Sequence, residues 1–393
     1  MKKLMLSTVL ICGAVAASAE DIKVGLLLSF TGPIESLVPP MADSSELAFS
    51  EVNAAGGLFD GDMISVHRGD ATCVDAGAAV AAAERLITSD GVVTILGADC
   101  SGVTGAVLAN VAVPNKIPLV SPSASSPALS TAEDDGLFFR TATSDARQGE
   151  VLAELLVEKG IKNVAVTYTN NDYGKGLSNS FVSAFTSQGG EITLNASHED
   201  GKPDYSAEVG ALFSAGGELL VVLGYADQGG RGIIQAALDA GAFDTFLLGE
   251  AMYGDSLISE FGDGLDGSFG AVPWTHGEGA DAFAALAEAA NVDGSASYTR
   301  ESYDAAALIA LAIQAAGETS PEAIKESMWK VANGPGEPIL PGELAKGIEI
   351  LKNGGEVDYV GATNIELIGP GEVSGTFLHY TINGGDYEQV DIR

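Results

Sequence analysis

Side chains able to hold a small charged molecule stand in short polar segments directly after apolar runs. Ala98-Asp99-Cys100-Ser101-Gly102 follows the apolar stretch 92–96, and Ser121-Pro122-Ser123-Ala124-Ser125-Ser126-Pro127 follows 117–120. Each opens a helix or turn, where free N–H groups and hydroxyls suit an anion such as a carboxylate. Helix capping by serine is the competing use of either segment alone. Further along, Tyr173 stands in Asn170-Asn171-Asp172-Tyr173-Gly174 and Tyr225 in Leu223-Gly224-Tyr225-Ala226-Asp227. Glu250 follows Leu248-Gly249. An acid facing an anion site across a cleft is what a zwitterion needs.

Catalysis has no comparable constellation. His67, His198, His276 and His379 are isolated, and none falls in a metal-ligand spacing such as HExxH. There is no GxSxG elbow, no GxxxxGK[ST] loop, and the first strand leads to Ser29-Phe30-Thr31-Gly32-Pro33 rather than to GxGxxG. No enzyme, cofactor or metal is therefore expected, and carboxylates are too numerous for any one pair to signify.

The elements that must position these segments alternate. Strands are predicted at 22–28, 63–67, 91–96 and 117–120, with helices near 43–54, 75–89 and 102–111 between them. The rhythm restarts with helices at 147–159, 177–188, 206–215 and 230–240, and strands at 163–167, 191–194, 218–223 and 245–248. Such alternation implies parallel sheets flanked by helices, and two series imply two α/β lobes. Helices at 281–290, 303–316 and 321–331 and a strand-like stretch at 355–393, with an Asn383-Gly384 turn signal, return to complete both lobes. In open parallel sheets ligands bind at the carboxyl ends of the strands, where all the polar segments fall.

The N-terminus reads as a removable export signal. Lys2 and Lys3 precede an apolar run at 4–16, and Ala17-Ser18-Ala19 is a small-residue cleavage site. The run is shorter than the about 20 apolar residues needed to span a bilayer. Lipid anchoring through Cys12 is the competing reading, disfavoured by Ile11 before the cysteine. Removing residues 1–19 takes the formal charge from −35 to −37 by loss of two lysines. Such a charge excludes nucleic acid or an anionic membrane surface as partner. Only Cys73 and Cys100 remain in the mature chain, and in an oxidising compartment a bridge is the simpler use than free thiols. It would close a loop worth about 3–4 kcal/mol.

The chain resembles the periplasmic Leu/Ile/Val-binding proteins, the receptors of branched-chain amino acid ABC transporters. The likeness spans the mature chain and rests on the order and spacing of several segments. They are Ile22-Lys23-Val24-Gly25, Thr31-Gly32-Pro33, Glu51-Val52-Asn53-Ala54-Ala55-Gly56-Gly57, the spaced Cys73 and Cys100, Ser121-Pro122-Ser123, Phe139-Arg140-Thr141, Asp172-Tyr173-Gly174 and Ser302-Tyr303-Asp304-Ala305. The resemblance implies two Rossmann-like lobes joined by three crossovers, the type I periplasmic binding fold. Lobe I would be 20–144 plus 273–372, and lobe II 145–272 plus 373–393. It also implies that Ser101 and Ser125 take an α-carboxylate, that the Ser123 carbonyl accepts from an α-ammonium, and that Glu250 pairs with that ammonium. Tyr173 and Tyr225 would line the second lobe, and Cys73 and Cys100 match the family's disulfide.

Some residues depart from the pattern. Glu35-Ser36-Leu37 stands where these proteins usually carry an aromatic lid residue. Asp304 replaces a small residue and is expected as a second acid for the ammonium, against a plain place in the first turn of a helix. Tyr298 falls where an aromatic walls the side-chain pocket. The function implied is a monomeric periplasmic receptor that closes on an amino acid and docks on inner-membrane ABC permease subunits. The alternatives are the same fold binding an amide, urea or aromatic acid, or a sensory ligand-binding protein.

Overall fold

A computed structural model describes residues 21–393. The expected export signal lies outside the described residues. Two sheets organise the chain. The first holds β1 (Asp21–Leu28), β2 (Met63–Asp70), β3 (Thr94–Gly97), β4 (Leu119–Ser121) and β5 (Phe138–Arg140), all parallel, in the order β2-β1-β3-β4-β5. The second begins with β6 (Asn163–Thr169), β7 (Glu191–His198), β8 (Leu220–Leu223), β9 (Phe246–Leu248) and β10 (Phe269–Pro273). A separate ribbon pairs β11 (Glu337–Ile339) with β12 (Val357–Tyr359). The second sheet is completed by β13 (Phe377–Asn383) and β14 (Asp386–Ile392), giving the order β14-β13-β10-β9-β8-β6-β7.

Composition explains the strand pattern. β3, β8 and β9 are short, wholly buried apolar runs, the form taken by parallel strands covered on both faces. β13 and β14 join antiparallel, so the second sheet is parallel only as far as β10. The turn between them lies at the Asn383-Gly384 signal, and a short turn can only reverse the chain.

On the first sheet lie α1 (Val38–Ala54), α2 (Ala76–Arg85) and α3 (Ser101–Val107), the last running through a wider turn into α4 (Val113–Asn115). On the second lie α5 (Asp145–Glu158), α6 (Asp172–Ser187), α7 (Ser206–Ala215), α8 (Gly229–Ala240) and α9 (Asp255–Phe261). α10 (Glu278–Ala290), α11 (Thr299–Ala316), α12 (Pro321–Ala332) and α13 (Leu344–Lys352) follow the return from β10. α11 is buried along almost its whole length, and its alanines let α1 and α12 approach closely.

Several helices start earlier than the sequence suggests, α1 and α6 by the most. α1 begins at Val38 because Pro39 and Pro40 occupy its first turn, where proline's missing N–H has no partner to lose. α6 begins at Asp172, capped by the Asn171 side chain, which accepts from the Gly174 N–H at 3.0 Å. Gly174 and Gly176 make that turn look like a loop, but both serve close approach. A Cβ on Gly174 would stand 2.1 Å from the Thr169 carbonyl oxygen, and one on Gly176 would stand 2.8 Å from Ser126 Oγ. α9, α13 and the strands β5, β10 and β11 escaped the sequence pattern altogether.

The chain crosses between the sheets in the segments 141–144, 274–277 and 374–376. The first and third run side by side, with a bridge between Thr143 and Val373 and an Arg140 N–H donating to the Gly371 carbonyl at 2.9 Å. Among the described residues no helix is long and apolar enough to cross a membrane.

Candidate functional site

The carboxyl ends of both sheets face one cleft. Ile34, Leu37, Met41, Asp99, Cys100, Ser101, Ser123, Ser125, Tyr173, Tyr225, Glu250, Ala251 and Tyr298 line a tight cavity between the lobes. Ser101, Ser123, Ser125, Tyr173, Tyr225 and Glu250 are thus brought together.

The first lobe supplies hydroxyls held by backbone. Ser101 Oγ accepts from the Ser126 N–H at 3.0 Å, and Ser123 Oγ donates to the Asp99 carbonyl at 3.0 Å. Asp99 ties the ends of β1 and β3 together: its carboxylate accepts from the Ser29 N–H and hydroxyl, each at 2.6 Å. The Cys73–Cys100 disulfide anchors the residue directly before Ser101 to the chain leaving β2.

The second lobe supplies the acid. Glu250 is 2 % exposed and accepts from the Tyr173 hydroxyl at 3.1 Å, with the Gln148 and Tyr298 side chains beside it. Burial pushes its carboxyl above the usual range, and those neutral donors pull it partly back. No salt bridge among the described residues engages it. Tyr173 stacks on Tyr225 with ring centroids 5.3 Å apart, and Asn171 Nδ2 donates to the Tyr225 hydroxyl at 3.1 Å. Burial raises all three tyrosines far above their ordinary value, so they remain neutral donors. Tyr298 stands in the left-handed region at φ 63°, which turns the chain into α11 beside the cavity.

Asp304 is elsewhere, and the expectation of a second acid there is corrected. Its carboxylate accepts from the Tyr359 hydroxyl (2.7 Å), the Ala362 N–H (2.8 Å), the Thr363 N–H (2.8 Å) and the Thr363 hydroxyl (2.6 Å). It clasps α11 to the 359–363 turn and is absent from the cavity wall. The second acid beside Glu250 is Asp145, which sequence reading missed. Asp145 is 1 % exposed, and its Oδ2 accepts from Ser125 Oγ at 3.1 Å. Burial, then the neighbouring Glu250, drive its carboxyl well above the ordinary value, against the Ser125 bond and the Arg140 charge.

The buried acids set the pH response of the ligand-free protein. Burial raises Glu301 to about 7 and Asp304 to about 6, while it lowers His198 to about 4. A raised acid holds its proton longer in the folded than in the unfolded chain, so its contribution to stability is lost as pH rises from about 4 to 7. His198 has the opposite sign, adding stability as pH rises from about 4 to 6.5. Between pH 5 and 8 the balance is about 1.5 pKa units, on the order of 2 kcal/mol. Urea unfolding of the ligand-free protein is expected to give lower stability at pH 8 than at pH 5; equal or greater stability at pH 8 would contradict the acid assignments.

A family described as "Periplasmic binding protein" matches residues 21–338. The chain belongs to that family. This periplasmic binding protein is 31 % identical to Leu/Ile/Val-binding protein homolog 3 of Brucella melitensis, over 79 % of its own length and 83 % of the relative's. In fold it is similar to a branched-chain amino acid transporter substrate-binding protein from Streptococcus pneumoniae solved with isoleucine. The TM-score is 0.77 at 23 % identity, over 95 % of this chain and 99 % of the other. It is also similar to a solute-binding protein from R. palustris solved with 4-hydroxybenzoate, with TM-score 0.76 at 17 % identity, over 95 % and 97 %.

Hydrogen bonds join the two sides of the cleft. Ser36 N–H donates to Asp227 Oδ2 (2.8 Å) and Asp227 N–H to the Pro33 carbonyl (3.3 Å). Ser126 Oγ donates to the Asp172 carbonyl and Ser297 Oγ to the Tyr253 carbonyl, each at 3.1 Å. Of the apolar wall, sequence reading placed Leu37 in the lid loop but missed Ile34 and Met41, whose residue types are indistinguishable from core.

Proposed function

We propose that this protein captures an α-amino acid with an apolar, branched-chain-like side chain and delivers it to the permease of an ABC importer. Glu250 carries the reading. It is a buried acid, bonded by neutral groups only, across a narrow cavity from serine hydroxyls. A buried charge without a counter-charge is costly, and a ligand ammonium supplies it. The ligand carboxylate goes to Ser101 and Ser125, and the Ser123 carbonyl accepts from the ammonium. Ile34, Leu37, Met41 and Ala251 favour an apolar side chain. A bare aromatic acid would bring a second negative charge to a cavity that already holds carboxylates, on a chain of net charge −35. The isoleucine found in one structural relative and the Leu/Ile/Val binding named for another fit this reading.

The work is binding and closure. Ligand favours the closed form and so shifts the population towards the shape that presents both lobes to the permease. Export to the periplasm and a monomeric state complete the reading. A thermal-shift screen of the mature chain, refolded free of bound ligand, tests it against L-amino acids, amides, urea, polyamines and aromatic acids. A ligand at 100 times its Kd should stabilise by about 2.7 kcal/mol. Stabilisation confined to apolar L-amino acids is expected. Stabilisation only by 4-hydroxybenzoate, urea or an amide would overturn the roles given to Glu250 and Ser101.

A further inference from the structure

Leu37 stands between two cavities. On one side is the ligand cavity, whose apolar wall it forms with Ile34, Met41 and Ala251. On the other is a second cavity, which Pro40, Tyr253, Gly254, Ser256, Ser297 and Tyr387 help to line. No other described residue lines both. The two cavities lie back to back. α1 gives Met41 to the first and Pro40 to the second, and the segment after β9 gives Ala251 to the first and Tyr253 to the second. Tyr298 and Ser297 divide in the same way.

The partition is held in place. The Leu37 N–H donates to the Ile34 carbonyl at 2.9 Å, and the Ser36 N–H before it donates to Asp227 Oδ2 at 2.8 Å. Opposite Leu37 is Gly254, where a Cβ would stand 3.1 Å from Leu37 Cδ2. That is nearer than the about 3.5–4.0 Å of ordinary carbon contact, so the leucine side chain rests against this peptide with no room to spare. The Tyr387 hydroxyl fixes the peptide in turn, accepting from the Gly254 N–H at 3.0 Å and donating to the Gly254 carbonyl at 3.1 Å. Leu37 therefore cannot swing back without parting contacts on both sides of the cleft. Behind it the lining is mostly polar, with Asp255 and Asp293 and no lysine or arginine.

We propose that Leu37 is the length stop of the ligand site: it blocks a passage into the second cavity and so excludes α-amino acids whose long side chains end in a polar or cationic group. The inference rests on the reading of an α-amino acid held at Glu250 and Ser101. With the head group fixed there, a side chain that runs along the apolar wall meets Leu37. Short branched chains end in front of it. Longer ones must displace it, although the cavity beyond would suit their polar ends. The head-group residues decide which class of molecule is held, and Leu37 decides how far its side chain can reach.

The test uses the mature chain and two variants, Leu37→Ala and Met41→Ala, with L-leucine and L-arginine as calorimetric probes. Both changes shorten an apolar residue of the same wall, but only Leu37 borders the second cavity. Leu37→Ala should lower the preference for leucine over arginine by about tenfold or more, since a single methylene in an apolar pocket already discriminates by about that factor. Met41→Ala should weaken leucine and leave arginine excluded. An unchanged preference in Leu37→Ala, or the same fall in both variants, overturns the proposal. Should Leu37→Ala not fold, Gly254→Ala decides. Its backbone is extended, at φ 175° and ψ 157°, so alanine fits the chain, and the added methyl pushes Leu37 towards the ligand. The preference for L-leucine over L-alanine should then fall about tenfold, whereas an equal loss for both overturns the proposal. Failure of the underlying reading looks different. If Glu250→Gln leaves leucine binding intact, the amino-acid reading falls and this inference with it. If Glu250→Gln abolishes leucine binding while Leu37→Ala keeps the full preference, only the length stop is lost.

Discussion

Glu250→Gln is expected to weaken amino-acid binding by about 30-fold to several thousandfold, the equivalent of about 2–5 kcal/mol. Glutamine keeps the shape and can still accept from the Tyr173 hydroxyl, which donates to Glu250 at 3.1 Å. What it removes is the charge that meets the ammonium in a cavity closed from water. The loss therefore measures an uncompensated buried cation, and it should appear mostly in the dissociation rate. The ligand-free variant should be no less stable than the wild type, because burial already holds the Glu250 carboxyl above its usual range. Titration calorimetry with L-leucine reads the affinity and urea unfolding the stability. Affinity within threefold of wild type would remove Glu250 from the site.

Asp304→Ala should show the reverse pattern, a stability loss of about 3–5 kcal/mol with affinity little changed. The carboxylate is fully buried and accepts four hydrogen bonds from Tyr359, Ala362 and Thr363. Alanine would leave those donors without partners, at about 1–3 kcal/mol for each that stays buried. It would also free the 359–363 turn from α11, a short distance before the third crossover. Asp304→Asn is expected to fall between, since an amide offers one accepting oxygen and turns its NH2 against other donors. Denaturant midpoints at fixed pH give the comparison, and leucine affinity measured well below the transition gives the control. A stable Asp304→Ala protein that no longer binds leucine would restore the acid to the ligand.

The contrast between these acids also marks what was legible in the sequence. Serines and an acid placed just past apolar runs were visible, because parallel sheets put such positions on one face whatever the loop lengths between them. Asp304 stood out because it replaces a small residue of the family pattern, but its partners lie more than fifty residues away and carry no local signal. Asp145 was hidden for the opposite reason. An acid in the first turn of a helix is what helix electrostatics already favours, so nothing set it apart. β13 fell within the strand-like stretch 355–393, but its partner β10 was missed, because an antiparallel return at the edge of a parallel sheet breaks the alternation used to find the other strands. α6 was shortened by its glycines, which packing against Thr169 and Ser126 requires.

The contacts that join the lobes are spread on several sides of the cavity: Ser36 with Asp227, Ser126 with Asp172, and Ser297 with Tyr253. A captive molecule thus has no single flap to lift. Escape demands that all of these bonds part in one rotation about the crossovers, together with the contacts the ligand makes across the cleft, so residence time joins a hinge contribution common to every ligand to one set by the molecule held. A transporter could hasten that event by levering the two lobes apart.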